Sequence, residues 1–273
     1  MKSLRVGVAQ IGVTLGEVDA NIETHQKFIT QAKSANVDLL LFPELSLSGY
    51  LLDELVPRVA MAQTDARLVQ LAQVCPDMTV VVGLVLQESP GEYYNAMVGL
   101  QGGQVSFVHR KINLPNYGGL SEGRLFKPAK QIELAPLDDS WSMATLICAD
   151  LWNPGLVYAA MVRWPSLLLA PINSGQGVVS DSFSNPEGWK INLQYYAMTY
   201  GTPVIMANRC DQEKGVQFWG GSRILGPKGE TLALAGDEQT LIHTEVNLDS
   251  IAAARFELPT IRDADPNLVK KLI

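Results

Sequence analysis

With 273 residues, 47% of them hydrophobic and 18% charged, the chain is long enough to bury a large core and too apolar to stay disordered. Its net charge of −7 argues against nucleic acid and anionic membrane surfaces as partners, because both draw on clustered Lys and Arg.

Taken in order, Leu4 to Ile11 reads as a strand and Asp19 to Ala35 as a helix with Ile22, Phe28, Ile29 and Ala32 on one face. Val37 to Phe42 is a wholly apolar strand, and Ala66 to Val74 a second helix. Thr79 to Gln87, Tyr94 to Leu100 and Gln104 to His109 are three strands in quick succession, with Gly91 and Gly102-Gly103 at the turns. Ser142 to Ile147 is another buried strand. Asn153-Pro154 then supplies an N-cap and a first-turn Pro for a helix over Gly155 to Arg163. Leu167 to Ile172, a helix around Trp189 to Tyr200, Pro203 to Asn208, and the hairpin-like Ser222 to Leu234 and Thr240 to Asn247 complete the pattern. No linker divides the chain, so one α/β domain over residues 1–273 is expected. Antiparallel hairpins inside the alternating blocks favour mixed sheets, and two sheets with helices outside would fit.

The apolar runs are too short for the ~18 residues that a bilayer span needs, and MKSLRVGVAQIG carries no secretion signal. Cys75, Cys148 and Cys210 are an odd set without CxxC spacing, which suits neither a disulfide framework nor a zinc site. A reducing cytoplasm is the expected location. The chain also lacks a phosphate loop, a GxSxG elbow and an HExxH string. Gly175-Gln176-Gly177 reads as a flexible loop with no cofactor role.

Three chemically capable residues stand just past the ends of apolar strands: Glu44 after VDLLLFP, Lys111 after QVSFVHR and Cys148 after SMATLI. Ligands bind in the crevice outside the carboxyl ends of strands in open α/β sheets, so the three could converge there. Singly each has a plain structural reading, as a turn carboxylate, a surface cation and a small buried hydrophobe. Together they make a reaction site. A helix start and a nearby ammonium are expected to lower the Cys148 thiol pKa, with Glu44 as base.

FPELSLSGY (42–50), HRKINLPNYGGLSEGRLF (109–126) and LICADLW (146–152), with LAPINSG, NR, FWGGSRILGPKGE and LPTIRDADPNL further on, resemble the nitrilase superfamily of carbon-nitrogen hydrolases. The flavour is that of stand-alone amidases related to the glutaminase domain of glutamine-dependent NAD synthetases. The resemblance implies a four-layer αββα sandwich with two mixed sheets, Glu44 as general base, Lys111 as cationic stabiliser, Cys148 as nucleophile and Glu122 as the second glutamate. It also implies pairing into homodimers or larger assemblies, and places Tyr50, Tyr117, Trp152 and Ser174 near the substrate.

The chemistry so implied is hydrolysis of a small linear amide. Cys148 attacks the carbonyl, Lys111 and the Ala149 backbone N–H hold the oxyanion, and Glu44 moves the protons. No metal or organic cofactor is called for. Where the NAD synthetase relatives usually carry Glu after the nucleophile, this chain has Ala149, which removes a counter-ion for the α-ammonium of glutamine. Asp53 or Asp181 could replace it from a loop. No ATP-pyrophosphatase domain is present, so an amidase is expected rather than an NAD synthetase. Nitrile hydrolysis through the same thiol is the runner-up. A non-catalytic or ammonia-delivering subunit would be expected to lose Glu44, Lys111 or Cys148, and a redox-sensing thiol would want a second cysteine near Cys148.

Overall fold

The computed structural model describes residues 2–273. Strand β1 (Ser3–Gln10) leads into helix α1 (Val18–Ser34), strand β2 (Leu39–Leu41), and helices α2 (Val56–Val59) and α3 (Ala66–Gln73). Strands β3 (Thr79–Ser89), β4 (Glu92–Gln101) and β5 (Gln104–Arg110) then form an antiparallel meander. A long connection carries β6 (Leu134–Pro136) to β7 (Ser142–Thr145), followed by α4 (Pro154–Met161), β8 (Leu167–Pro171), α5 (Asn185–Tyr200) and β9 (Val204–Ala207). The last part holds a small ribbon, β10 (Gln212–Glu213) with β11 (Val216–Gln217), then β12 (Arg223–Leu225), β13 (Thr231–Leu234), β14 (Thr240–Asn247), α6 (Leu248–Glu257) and α7 (Pro266–Leu272).

Two six-stranded sheets result, in the orders β14-β1-β2-β3-β4-β5 and β13-β12-β9-β8-β7-β6. Each is parallel at its centre, β1–β2–β3 and β7–β8–β9, and antiparallel at its flanks. The mixed pattern is the expected one. Central parallel strands covered on both faces read as unbroken apolar runs, which is why Leu39-Leu40-Leu41 and Leu167-Leu168-Leu169 show no alternation. Successive side chains nonetheless part to opposite faces. Val6, Val8, Leu39 and Leu41 meet Leu167, Leu169, Ile205 and Ala207 between the sheets. Leu40 and Ala9 pack with Phe28, Ile29 and Ala32 of α1 and Leu68 and Leu71 of α3. Leu168, Ala170 and Met206 pack with Val157 and Met161 of α4 and Trp189 and Leu193 of α5. The layers are therefore α, β, β, α.

Three expectations are refined. Helix α5 begins at Asn185, four residues before Trp189, because the Ser184 hydroxyl caps it and Pro186 fits its first turn. The Ser222–Leu234 segment does form a hairpin, β12 with β13, but β14 crosses over to pair along the whole of β1 in the other sheet. The strand read over Ser142 to Ile147 ends at Thr145, and the residues after it turn toward Cys148. Among the described residues no helix is long and apolar enough to cross a membrane.

The loop after β2 lies across Gly83 of β3. A Cβ there would stand 2.3 Å from Leu45 N and 2.5 Å from Pro43 O, and the loop is stitched down by Leu47 N–H to Gly83 O (2.9 Å) and Gly83 N–H to Ser46 Oγ (3.1 Å). Gly83→Ala should therefore destabilise the fold by about 1–3 kcal/mol through overpacking, seen as a lower urea midpoint at unchanged slope. An unshifted midpoint would show that the loop moves aside freely.

Candidate active site

Glu44, Lys111 and Glu122 enter one buried cluster from three separate segments. Glu44 sits on the loop over Gly83, beside Leu45, whose φ of +48° is in the left-handed region. The loop is braced from α1 by His25, which donates from Nδ1 to Asn21 O (2.7 Å), leaving Nε2 to accept from Ser46 Oγ (2.9 Å). Burial pulls the His25 pKa down to about 4, so the ring stays neutral and holds this arrangement. Lys111 follows the last residue of β5, and Glu122 begins a short helical turn over Glu122–Arg124.

The Lys111 ammonium donates to Glu44 Oε1 at 2.6 Å and to Glu122 Oε1 at 2.7 Å. Asn95 of β4 spans the same two carboxylates, giving Nδ2–H to Glu44 Oε1 at 2.7 Å and to Glu122 Oε2 at 3.4 Å. Tyr50 Oη donates to Glu122 Oε1 at 2.5 Å. Three valences are left over: one of three Lys111 protons, and Glu44 Oε2 and Asn95 Oδ1, each buried with no partner. Burial raises the Glu44 carboxyl to about 7, against the pull of Lys111 and with the push of Glu122. Burial works against the Lys111 ammonium, but the two carboxylates outweigh it and hold its pKa well above the usual lysine range.

Cys148 opens a tight helical turn, Cys148–Trp152, with φ of +46°, a conformation that costs a non-glycine residue roughly 1–2 kcal/mol. Asp150 imposes it. Its carboxylate accepts from Ile147 N (3.0 Å) on the near side, and from Ile112 N (3.1 Å) and Asn113 N (2.6 Å) on the segment after Lys111. One buried side chain thus ties the cysteine turn to the lysine segment. The expectation of a lowered thiol pKa is corrected: burial and the Glu44 charge push Cys148 well above the ordinary thiol range, although Lys111 and the Asn173 N–H pull the other way. The resting group is a thiol.

Tyr50, Tyr117, Cys148, Ala149, Trp152 and Ser174 line one narrow cleft, joined by Asn173, Asn185 and Trp189 among others. No charged side chain lines it; the Glu–Lys–Glu cluster lies buried behind. Tyr117 and Trp152 stand at the exposed rim, while Tyr50, Ala149 and Ser174 are buried. Ser174 is heavily engaged: the indole N–H groups of Trp189 (3.0 Å) and Trp219 (3.1 Å) donate to Oγ, and the Asn185 amide lies 3.0 Å from it. An adjoining apolar hollow of about 660 Å³ shares Tyr50, Leu120, Asn173 and Val178. A further hollow of about 730 Å³ around Tyr94, Arg110 and Lys127 contains none of these groups. Asp53 is exposed and pairs with Lys214 at 2.9 Å, and neither it nor Asp181 lines the cleft.

Several supporting residues escaped the sequence reading. Asn95 and Asn173 are uncharged polar positions inside or just after apolar strands, a signal that could have marked them. Arg209 and Glu213 had none beyond the NR pair. Arg209 is buried on Asp211, on Glu213 (2.7 Å) and on the Phe218 ring. Glu213 in turn accepts from Tyr50 N (3.1 Å) and Leu51 N (2.6 Å), so this ion pair sets the backbone from which Tyr50 reaches Glu122.

A carbon-nitrogen hydrolase family model matches residues 5–256, and the chain belongs to that family. It is 28% identical over 257 residues to the glutamine-dependent NAD(+) synthetase of Thermotoga maritima, covering 91% of this chain and 43% of that one. To the N-carbamoylputrescine amidase of Oryza sativa subsp. japonica it is 24% identical over 286 residues, covering 98% and 95%. Among solved structures it matches the amidase from Nesterenkonia sp. AN1 with a TM-score of 0.81 at 24% identity, over 99% of this chain and 97% of that one; that structure, of a mutant, shows covalent addition of the acetamide moiety of fluoroacetamide at its active-site cysteine. The chain spans less than half the length of the NAD(+) synthetases it matches.

The raised thiol has a direct check. In a Cys75→Ser/Cys210→Ser background, the rate at which methyl methanethiosulfonate modifies Cys148, read by intact mass, should keep climbing beyond pH 9, because thiolate forms only above the ordinary range. A plateau below pH 8 would mean a pre-formed thiolate.

Proposed function

We propose that the protein hydrolyses a small linear amide to a carboxylic acid and ammonia or an amine, through a thioester on Cys148. The observation that carries this reading is the unpartnered Glu44 Oε2, buried behind a cleft lined by Cys148. Held near neutrality, Glu44 is matched to taking a proton at physiological pH and returning it. It receives the thiol proton as sulfur attacks the carbonyl. The resulting oxyanion is met by the third Lys111 proton and the Ala149 backbone N–H, donors fixed before charge develops. Collapse expels the amine, protonated by Glu44. Water, deprotonated by Glu44, then opens the thioester and frees the acid. Glu122 accepts from Lys111 and Tyr50 and so holds the ammonium in place rather than touching the substrate.

Amidase relatives of near-full length support this reading. An exposed stripe on α5, Ile191, Tyr195 and Met198, supports the accompanying proposal that copies of the chain pair through outer helices.

Ammonia release across amides, ω-amides, carbamoyl amines and nitriles tests the activity and ranks nitriles against amides. Cys148→Ala should abolish turnover, while Cys75→Ser and Cys210→Ser keep most of it. Lys111→Ala should lower kcat on the order of 10²–10³-fold, the usual loss for one oxyanion donor; a change in KM alone would make it a substrate binder.

The pH profile follows from Glu44. Its folded pKa is raised to about 7 and the ionised form is the base, so kcat/KM should fall tenfold per unit as pH drops below about 7. An acid limb near 4.5 would remove Glu44 from that role. With Ala149 in place of a carboxylate and no other acid lining the cleft, free glutamine should be a poorer substrate than a matched amide lacking the α-amino group, since its ammonium would be buried unpaired. A clear preference for glutamine would sink this.

A further inference from the structure

The cleft that holds Cys148 is narrow, and the hollow beside it is the roomier of the two. A substrate longer than the reacting amide needs space beyond the first. The two adjoin at the reacting centre itself, because residues that wall the hollow also touch the machinery. Asn173 lines both, its backbone N–H reaching the Cys148 sulfur and its side-chain NH₂ donating to Glu44 O at 3.0 Å. Tyr50 lines both as well, and its hydroxyl is taken up by Glu122.

The lining of the hollow is apolar. Phe218 is buried there, while Leu51, Leu120, Val178 and Val216 are only partly buried. Gly177 and Gly215 are exposed, and a Cβ on either would meet no atom within 4 Å, so this side is open. Among the described residues no charged side chain lines the hollow. Arg209, stacked on Phe218, is taken up by Asp211 and Glu213, and Lys214, beside Gly215, by Asp53. The walls are tied to one another: Gly119 N–H donates to Val178 O (2.9 Å), Gln176 N–H to Gln217 O (2.8 Å) and Leu51 N–H to Glu213 Oε1 (2.6 Å). Apolar walls held apart across a fixed, solvent-facing space are stabilised by an apolar occupant and penalise a charged one.

We propose that this hollow is the subsite for an uncharged, predominantly apolar arm of the substrate, attached to the amide that Cys148 attacks. It rests on the amide-hydrolase reading and narrows its substrate class, away from amides that carry a charge beyond the reacting group. Each methylene moved from water into the hollow should raise kcat/KM about fourfold. An ammonium or carboxylate buried there without a counter-ion should lower it on the order of tenfold or more.

The test uses two ladders of amides, one lengthening the acyl chain of a primary amide and one lengthening the N-alkyl group of an acetamide. The ladder that responds tells which side of the scissile bond faces the hollow. Methyl-ended members are compared with partners of equal length ending in ammonium or carboxylate. On the wild type one ladder should climb about fourfold in kcat/KM per methylene, with the charged ends well below it. Val216→Trp, which narrows the hollow, should flatten that climb, and Val216→Asp should turn the preference toward the ammonium end. Both are read as ratios between substrates within one variant, with the urea midpoint as the check on folding. Should Val216→Trp not fold, Val216→Ala should instead let the climb continue to longer chains. Flat ladders on the wild type, a charged end equal to the methyl end, or a climb that folded Val216 variants leave untouched would overturn the proposal. Calorimetric binding of both ladders to Cys148→Ala reads the same slopes without turnover. Absence of turnover on every amide would then count against amide hydrolysis, while the binding slopes still decide the role of the hollow.

Discussion

Burying the Lys111 ammonium between two carboxylates is the constraint around which the rest of the site is arranged. Each ion taken out of water costs several kcal/mol, repaid only when geometry is tight and the remaining lone pairs are used. The fold meets that condition from three segments: Asn95 from β4, Glu122 from a short turn, and Glu44 and Tyr50 from the loop over Gly83. Two negative groups share one positive group, and this imbalance, with burial, keeps the Glu44 carboxyl near neutrality. A cluster with every valence filled would be a structural ion network. Here Glu44 Oε2 is left open, and on the proposed reading that opening is what lets the cluster act as a base.

The site separates its charges from its contact surface. The ions lie behind, and the cleft is walled by aromatic and aliphatic groups with a few uncharged polar ones. Cys148 stands between the two, lining the cleft and feeling the Glu44 and Lys111 charges behind it. Asp150 fixes its left-handed backbone and ties it to the segment after Lys111 in the same set of bonds. Arg209 and Glu213 do the corresponding work for Tyr50.

The layered architecture was readable because its cause is local: apolar runs of strand length at β2 and β8, caps such as Asn153-Pro154, and Gly turns in the meander. The convergence of Glu44, Lys111 and Cys148 was readable from their common place after strands. The crossover of β14 was not, since its alternating pattern fits a neighbour in either sheet. The thiol shift was missed because helix start and ammonium are visible in a string, whereas burial and the Glu44 charge depend on what surrounds the sulfur. Glu213 acts through two backbone N–H groups that lie about 160 residues away, and nothing in its own neighbourhood announces them.

The pairing of β14 with β1 joins Ser3 to Asn247 and Gln10 to Thr240, strands far apart in the sequence. During synthesis at about 5–20 residues per second, β1 leaves the ribosome roughly 10–50 s before its outer neighbour exists. For that interval the first sheet has an open edge, able to pair with any extended strand nearby. The second sheet can assemble meanwhile, but β1 is covered only when β14 has been made. Non-local closure of this kind slows folding at a given stability. The nascent chain is thus most exposed to mispairing just before β14 appears, and shielding that edge is the problem any folding assistance must solve for this protein.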